Sequence, residues 1–167
     1  MNFDPSQNTY ALVTSTTYGT WLPGDERGFV NAKNNQYGTE FFRNNPLLKK
    51  ASHVTPVYFQ QEHAQLIFDR WLEIVTEYHW RLYAVAIMSN HFHVVVAAPG
   101  KVEKETFLRN FKSRASKALN DHFGKQTWWT TSGSVRFCFD EKTLDTRINY
   151  VKNQSYPLLV WITEDHD

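Results

Sequence analysis

The sequence predicts a mixed α/β domain, and three observations carry that expectation. β-favouring runs alternate with amphipathic helical stripes in the order β, α, β, β, α, β, α. Two of those runs, Leu82 to Met88 and Phe92 to Ala98, flank the turn pair Ser89-Asn90, so they close an antiparallel hairpin that His91 opens on the second side. A chain of 167 residues fits one domain with its own core, here taken as residues 1–167 with a long loop at 18–57 and a tail at 155–167.

Taken in order, Tyr10 to Thr17 is rich in β-branched and aromatic residues and reads as the first strand. Residues 18–57 lack either period, and Gly and Pro recur at turn spacing from Tyr18-Gly19-Thr20-Trp21 to Gly28. Loops of this length inside a domain are functional or disordered. Trp21 and Arg27 are candidates to stack on or grip a nucleic acid strand, with Trp21 equally able to pin the loop to the core. Residues 62–79 place Ile67, Trp71, Ile74, Val75 and Tyr78 on one helical stripe. Strands 81–88 and 91–98 follow, ended by Pro99-Gly100.

A second helix spans 102–123 and stops at Gly124, with Phe107, Phe111, Ala115, Ala118, Leu119 and His122 as its buried stripe. Another face carries Arg109, Lys112, Ser113, Ser116 and Asn120, which is either a row of phosphate donors or a solvated polar face. Val135 to Phe139 forms a short strand, and Asp140 caps a third helix over 141–154. Leu144, Ile148 and Val151 of that helix face the core. Thr143, Arg147, Tyr150 and Gln154 lie at the border of the buried stripe. Leu158 to Ile162 is a final strand or packing segment.

The apolar fraction of 41% with 16% aromatic residues fits a globular protein, and no run of about 18 apolar residues suggests a membrane span. The N-terminal residues show no signal-peptide pattern, and the lone Cys138 precludes an intrachain disulfide. A cytoplasmic location is the expectation. Net charge is only +1, but residues 101–154 hold 11 Lys/Arg against 6 Asp/Glu, so the basic excess follows the histidines. One face meeting a phosphate backbone gives that distribution, and so does a mixed solvated surface.

The chemistry-bearing stretch is Met88-Ser-Asn-His-Phe-His-Val-Val-Val96. On a strand His91 and His93 project to the same face, about 7 Å apart, within reach of one divalent ion; two hydrogen-bonded histidines would look the same. With His91-Phe92-His93, a basic helix and then Tyr150-Val-Lys-Asn-Gln154, the chain resembles the HUH single-tyrosine transposases, especially the REP-associated kind. The resemblance extends from the first strand to Gln154 and takes in Tyr18-Gly-Thr-Trp21 and Lys112-Ser-Arg-Ala-Ser-Lys-Ala-Leu-Asn120. Ser89 departs from the proline of many relatives, and Gln154 from the asparagine of many REP-associated members.

The resemblance implies a ferredoxin-like antiparallel sheet with helices packed on it and the histidines on a central strand. It implies Tyr150 as nucleophile on a phosphodiester, with a 5′-phosphotyrosine intermediate that is resealed by a 3′-OH without ATP. It also implies one Mg2+ or Mn2+ held by His91, His93 and the Gln154 side-chain oxygen. The implied partner is a single-stranded DNA hairpin with an unpaired flank, held by Arg109, Lys112, Ser113, Ser116, Lys117 and Arg147 with Trp21 and Arg27. A monomer is favoured, with a homodimer as the alternative. Two other classes remain open on the residues alone: a metal-dependent hydrolase using the histidine pair, and a hairpin-binding regulator with a vestigial site. No dedicated general base is evident.

Overall fold

The computed structural model of the chain describes residues 3–20 and 54–164. Its elements are β1 (Asn8–Thr16), α1 (Gln61–Glu77), β2 (Arg81–Ile87), β3 (His91–Pro99), α2 (Lys104–Phe123), β4 (Ser134–Cys138), α3 (Glu141–Lys152) and β5 (Leu159–Ile162). The strands form one sheet in the order β4-β1-β3-β2-β5, with every neighbouring pair antiparallel. The first six elements thus run β-α-β-β-α-β, the ferredoxin-like order, with the histidine strand β3 at the centre of the sheet.

Period-two alternation divides the core between the two faces of the sheet. Phe92, Val94, Val96 and Ala98 join Ala11 and Val13 in a cluster with Ile67, Trp71 and Ile74 of α1 and Phe107, Phe111 and Leu119 of α2. Trp71 meets Phe92 and Phe111 edge-on, with centroids 4.8 and 5.2 Å away, and its indole N–H donates to the Phe111 carbonyl at 2.9 Å. That satisfies the one polar atom of a large buried ring, so burial is not offset by an orphaned donor. Tyr10, Leu12, Val95 and Ala97 face the other way and pack under Leu144, Ile148 and Val151 of α3. A bulge between Leu82 and Ala84 turns both Tyr83 and Ala84 toward this second cluster.

Four local expectations shift. Tyr78 follows α1 rather than lying in its stripe and is 40% exposed; Trp80 instead packs on Phe107 and Phe111 after the chain reverses through His79 at φ 55°. His122 is exposed, because in the last turn of α2 the half-buried Phe123 makes the inward contact, its ring 4.2 Å from that of His63. β4 begins one residue earlier than expected, at Ser134. α3 ends at Lys152, so Gln154 lies just beyond the helix. Gly124 stops α2 as expected, at φ 94° with its N–H on Asn120. Among the described residues no helix is long and apolar enough to cross a membrane.

Candidate active site

The hairpin turn places His91 and His93 on the face of β3 that α3 covers, beside β1. Antiparallel pairing sets Thr16 opposite His91 and Thr14 opposite His93, and side chains directly opposite share a face. The imidazole centroids are 5.0 Å apart and the rings nearly perpendicular, at 80°. His93 is only 5% exposed, and its Nδ1 lies 2.7 Å from Thr14 Oγ1. His91 is half-buried, with Nδ1 at 2.6 Å from Asn90 Oδ1. Burial first, and the neighbouring His91 second, push the His93 imidazole down to about 3, so it is neutral at physiological pH and keeps a lone pair.

The turn is braced from the end of β1. The Asn90 carbonyl accepts from Thr17 N (2.8 Å), Thr17 Oγ1 (3.1 Å) and Thr20 Oγ1 (3.4 Å). Between those threonines Gly19 takes φ 76°, and a Cβ there would stand 2.6 Å from Val54 Cγ1. Glycine is therefore required by both conformation and space. The Tyr18-Gly-Thr20 part of the resemblance thus has a structural task beside the histidines. Trp21 and Arg27 lie outside the described residues.

α3 brings in the tyrosine. Asp140 caps its start, accepting from Thr143 N at 2.7 Å, and the buried Leu144, Ile148 and Val151 fix its rotation over the sheet. Tyr150 then points its hydroxyl to within 3.4 Å of His93 Nε2, with ring centroids 5.1 Å apart. Nucleophile candidate and histidine pair meet within one chain, while the tyrosine stays 47% exposed. Gln154 follows one turn later, its amide nitrogen donating to the Tyr150 carbonyl at 3.0 Å. Arg147, one turn earlier, is half-buried near Cys138, and its Nε is buried without a hydrogen-bond partner among the described residues.

The sequence-nominated cations of α2 lie on the opposite face of the sheet. Arg109, Lys112, Ser113 and Ser116 line a groove of about 470 Å3 shared with residues 126–131. Lys112 is turned inward there: its ammonium donates to the carbonyls of Thr130, Thr131 (3.4 Å) and Ser132 (3.2 Å), and burial lowers its pKa to about 8. Asn120 is likewise engaged, accepting from Gln126 N and Trp128 Nε1. Lys117 is exposed and pairs with Asp121. Two residues beside the histidines escaped sequence reasoning. Thr14 needs the pairing of β1 with β3. Asn90 read only as a turn residue.

Among the described residues no group of three or more His, Cys, Asp or Glu gathers as a metal cluster. The candidate donor set is two imidazoles, that of His93 neutral, and a carboxamide, in which the amide nitrogen of Gln154 is taken by a backbone carbonyl and Oε1 is the ligand-type atom. These groups fit one borderline-hard divalent cation, given further oxygens from substrate or water.

Paired histidines on the central strand of a ferredoxin-like sheet, with a tyrosine delivered from the helix across it, define the HUH class of tyrosine transposases. The profile described as "Transposase IS200 like" matches residues 55–154, and the chain belongs to that family. No curated protein is recognisably similar in sequence. Among solved structures, a proposed transposase from Deinococcus radiodurans R1 is similar in fold, with a TM-score of 0.50 at 15% identity over 93% of this chain and 98% of that one. A REP-associated tyrosine transposase bound to a REP hairpin aligns over 90% of this chain and 67% of its own, at 10% identity and a TM-score of 0.49.

Proposed function

We propose that this protein cleaves and rejoins single-stranded DNA through a covalent 5′-phosphotyrosine, acting on a hairpin with an unpaired flank. The observation that carries this reading is the Tyr150 hydroxyl 3.4 Å from His93 Nε2 on the face that also carries His91. The Tyr150 oxygen attacks the scissile phosphorus, the bond from phosphorus to the 3′ oxygen breaks, and that oxygen leaves as a 3′-OH, taking up a proton equivalent to the one the phenol gives up. Attack by a 3′-OH on the phosphotyrosine reverses the step and releases Tyr150, so strands are joined with no net hydrolysis. His93 is too weakly basic to hold the phenolic proton at neutral pH, so its part is that of a ligand and not of a general base.

His91, His93 and Gln154 would hold one Mg2+ or Mn2+, which supplies Lewis-acid stabilisation of the charge developing on the phosphate oxygens. Arg147, half-buried and with no hydrogen-bond partner for its Nε among the described residues, is a cation on the tyrosine helix suited to a neighbouring phosphate. Arg109, Ser113 and Ser116 in the α2 groove, with Lys117, bind the hairpin backbone, and the protein works in the cytoplasm as a monomer.

The deciding experiment incubates the protein and Mn2+ with labelled single strands taken from the DNA flanking its own gene. A covalent adduct is expected for the wild type. Tyr150→Phe should lose it by at least about 1,000-fold while binding the hairpin within about twofold, because only the nucleophilic oxygen is removed. Cleavage fragments without adduct would instead make the protein a hydrolase, and a shifted complex without cleavage would make it a regulator.

A further inference from the structure

Beside the α2 groove lies a second cavity, of about 490 Å3, which the reading above leaves unused. Gln126, Thr127 and Trp128 line both. Its volume falls in the range of pockets that enclose a small organic group. Two large rings in its lining stand open to solvent: Tyr18 is 38% exposed and Tyr58 55%. Their backbone is pinned. Tyr18 N–H donates to the Trp128 carbonyl and its own carbonyl accepts from Val57 N, both at 2.8 Å, while Phe59 N–H donates to the Ser89 carbonyl at 2.7 Å. Tyr58 is thus carried between two anchored residues, outward beside the buried Phe59. Gly19 permits the close approach of these segments, since a Cβ there would stand 2.6 Å from Val54 Cγ1 and 3.0 Å from Pro56 Cα. Rings held on a fixed backbone lose little entropy when a flat ligand stacks on them.

The same cavity has polar groups to spare. His63 Nδ1 accepts from Gln60 N–H at 3.0 Å, and a backbone N–H can only donate, so the neutral ring carries its hydrogen on Nε2. Burial lowers the pKa of His63 and so favours the neutral ring. Neither that Nε2–H nor the side-chain amide of the exposed Gln126 has a hydrogen-bond partner among the described residues. Open aromatic faces with spare donors and an acceptor beside them suit a flat ring that has both acceptors and N–H groups on its rim. A nucleobase has that form, whereas an aromatic side chain of a peptide would leave the polar groups unmatched.

We infer that this cavity receives one unpaired nucleobase of a bound single strand, stacked on Tyr58 beside Tyr18, with His63 and Gln126 at the edge of the base. The inference rests on the single-strand reading given above, but not on cleavage, on the histidine pair or on a metal.

The test compares two labelled probes by fluorescence anisotropy, a ten-nucleotide thymidine strand and a strand of equal length in which every base is replaced by an abasic tetrahydrofuran. Wild type should prefer the thymidine strand. Tyr58→Ala should weaken binding of that strand about 10-fold and of the abasic strand by less than about twofold, because the phosphates are unchanged and only a stacking face is lost. Tyr58→Phe, which keeps the ring, should match wild type on both. Irradiation of wild type with a thymidine strand carrying one 5-iodouracil should give crosslinks at Tyr58 or Tyr18, located by mass spectrometry of the peptides. Equal weakening of both probes by Tyr58→Ala, no preference of wild type for the strand with bases, or crosslinks confined to residues outside the cavity would overturn the proposal. Base-dependent binding and cavity crosslinks in a protein that forms no Tyr150 adduct would overturn the cleavage reading alone and leave the base site standing.

Discussion

Burial acts in opposite senses on two ionisable side chains under α3, and both end neutral at pH 7. It pushes the His93 imidazole down to about 3 and the Cys138 thiol up to about 11, the latter against the pull of the nearby Arg147. For His93 neutrality serves the site, since only the neutral ring offers a lone pair. For Cys138, 2% exposed, it makes an inert packing group. The stability consequence has a definite sign. Between the unfolded thiol's pKa, about 8.5, and about 11, the unfolded chain has lost a proton that the folded one keeps, so raising pH favours unfolding. Wild type should lose stability over that window faster than Cys138→Ala, by up to about 1.4 kcal/mol per pH unit. Urea midpoints at pH 8 and pH 10 measure this, and equal losses in the two proteins would contradict it. The same thiol should resist alkylation at pH 8 until denaturant is added.

At the scale of elements, α3 carries Tyr150, and its start depends on one side chain. Asp140 accepts from both the N–H and the hydroxyl of Thr143, so Asp140→Ala should cost about 1 kcal/mol, while Asp140→Asn should retain most of it. Thermal unfolding separates them, and an alanine variant as stable as wild type would remove the cap from the account. This helix was legible in the sequence because capping and the Leu144, Ile148, Val151 spacing are local signals, and so was the hairpin that puts His91 and His93 on one face. The meeting of Tyr150 with His93 was not local: it entered through resemblance, and a separation of 57 positions hides it from any periodicity argument. Thr14 was invisible for the same reason, its partner lying 79 positions away and fixed only by strand register. Tyr78 and His122 were misplaced because helical spacing gives an angle about the axis and not where the helix ends or its cover stops.

For the whole molecule, the sheet is a partition, with the tyrosine site under α3 on one face and the α2 groove on the other. They communicate around the end of β1. Lys112 gathers the carbonyls of Thr130, Thr131 and Ser132; Thr130 bonds Thr16 through N–H (3.1 Å) and hydroxyl (3.0 Å); Thr16 stands opposite His91. The α2 cations consequently divide into two kinds. Arg109, exposed in the groove, and Lys117, exposed beside it and held only by a surface pair with Asp121, are available to phosphates. Lys112 is committed to protein carbonyls and supports the segment that links groove to site. Neutralising Arg109 or Lys117 to alanine should weaken hairpin binding and lower the salt slope by up to about one unit each, with adduct formation at saturating DNA unchanged. Lys112→Met should instead leave the slope nearly intact, lower thermal stability and slow adduct formation even at saturation, because three carbonyls lose their donor and Thr130 is freed beside His91. Salt-dependent binding curves paired with single-turnover adduct rates separate the two patterns. If Lys112→Met behaved like Arg109→Ala in both measurements, Lys112 would be one more phosphate contact and the proposed link around β1 would fail.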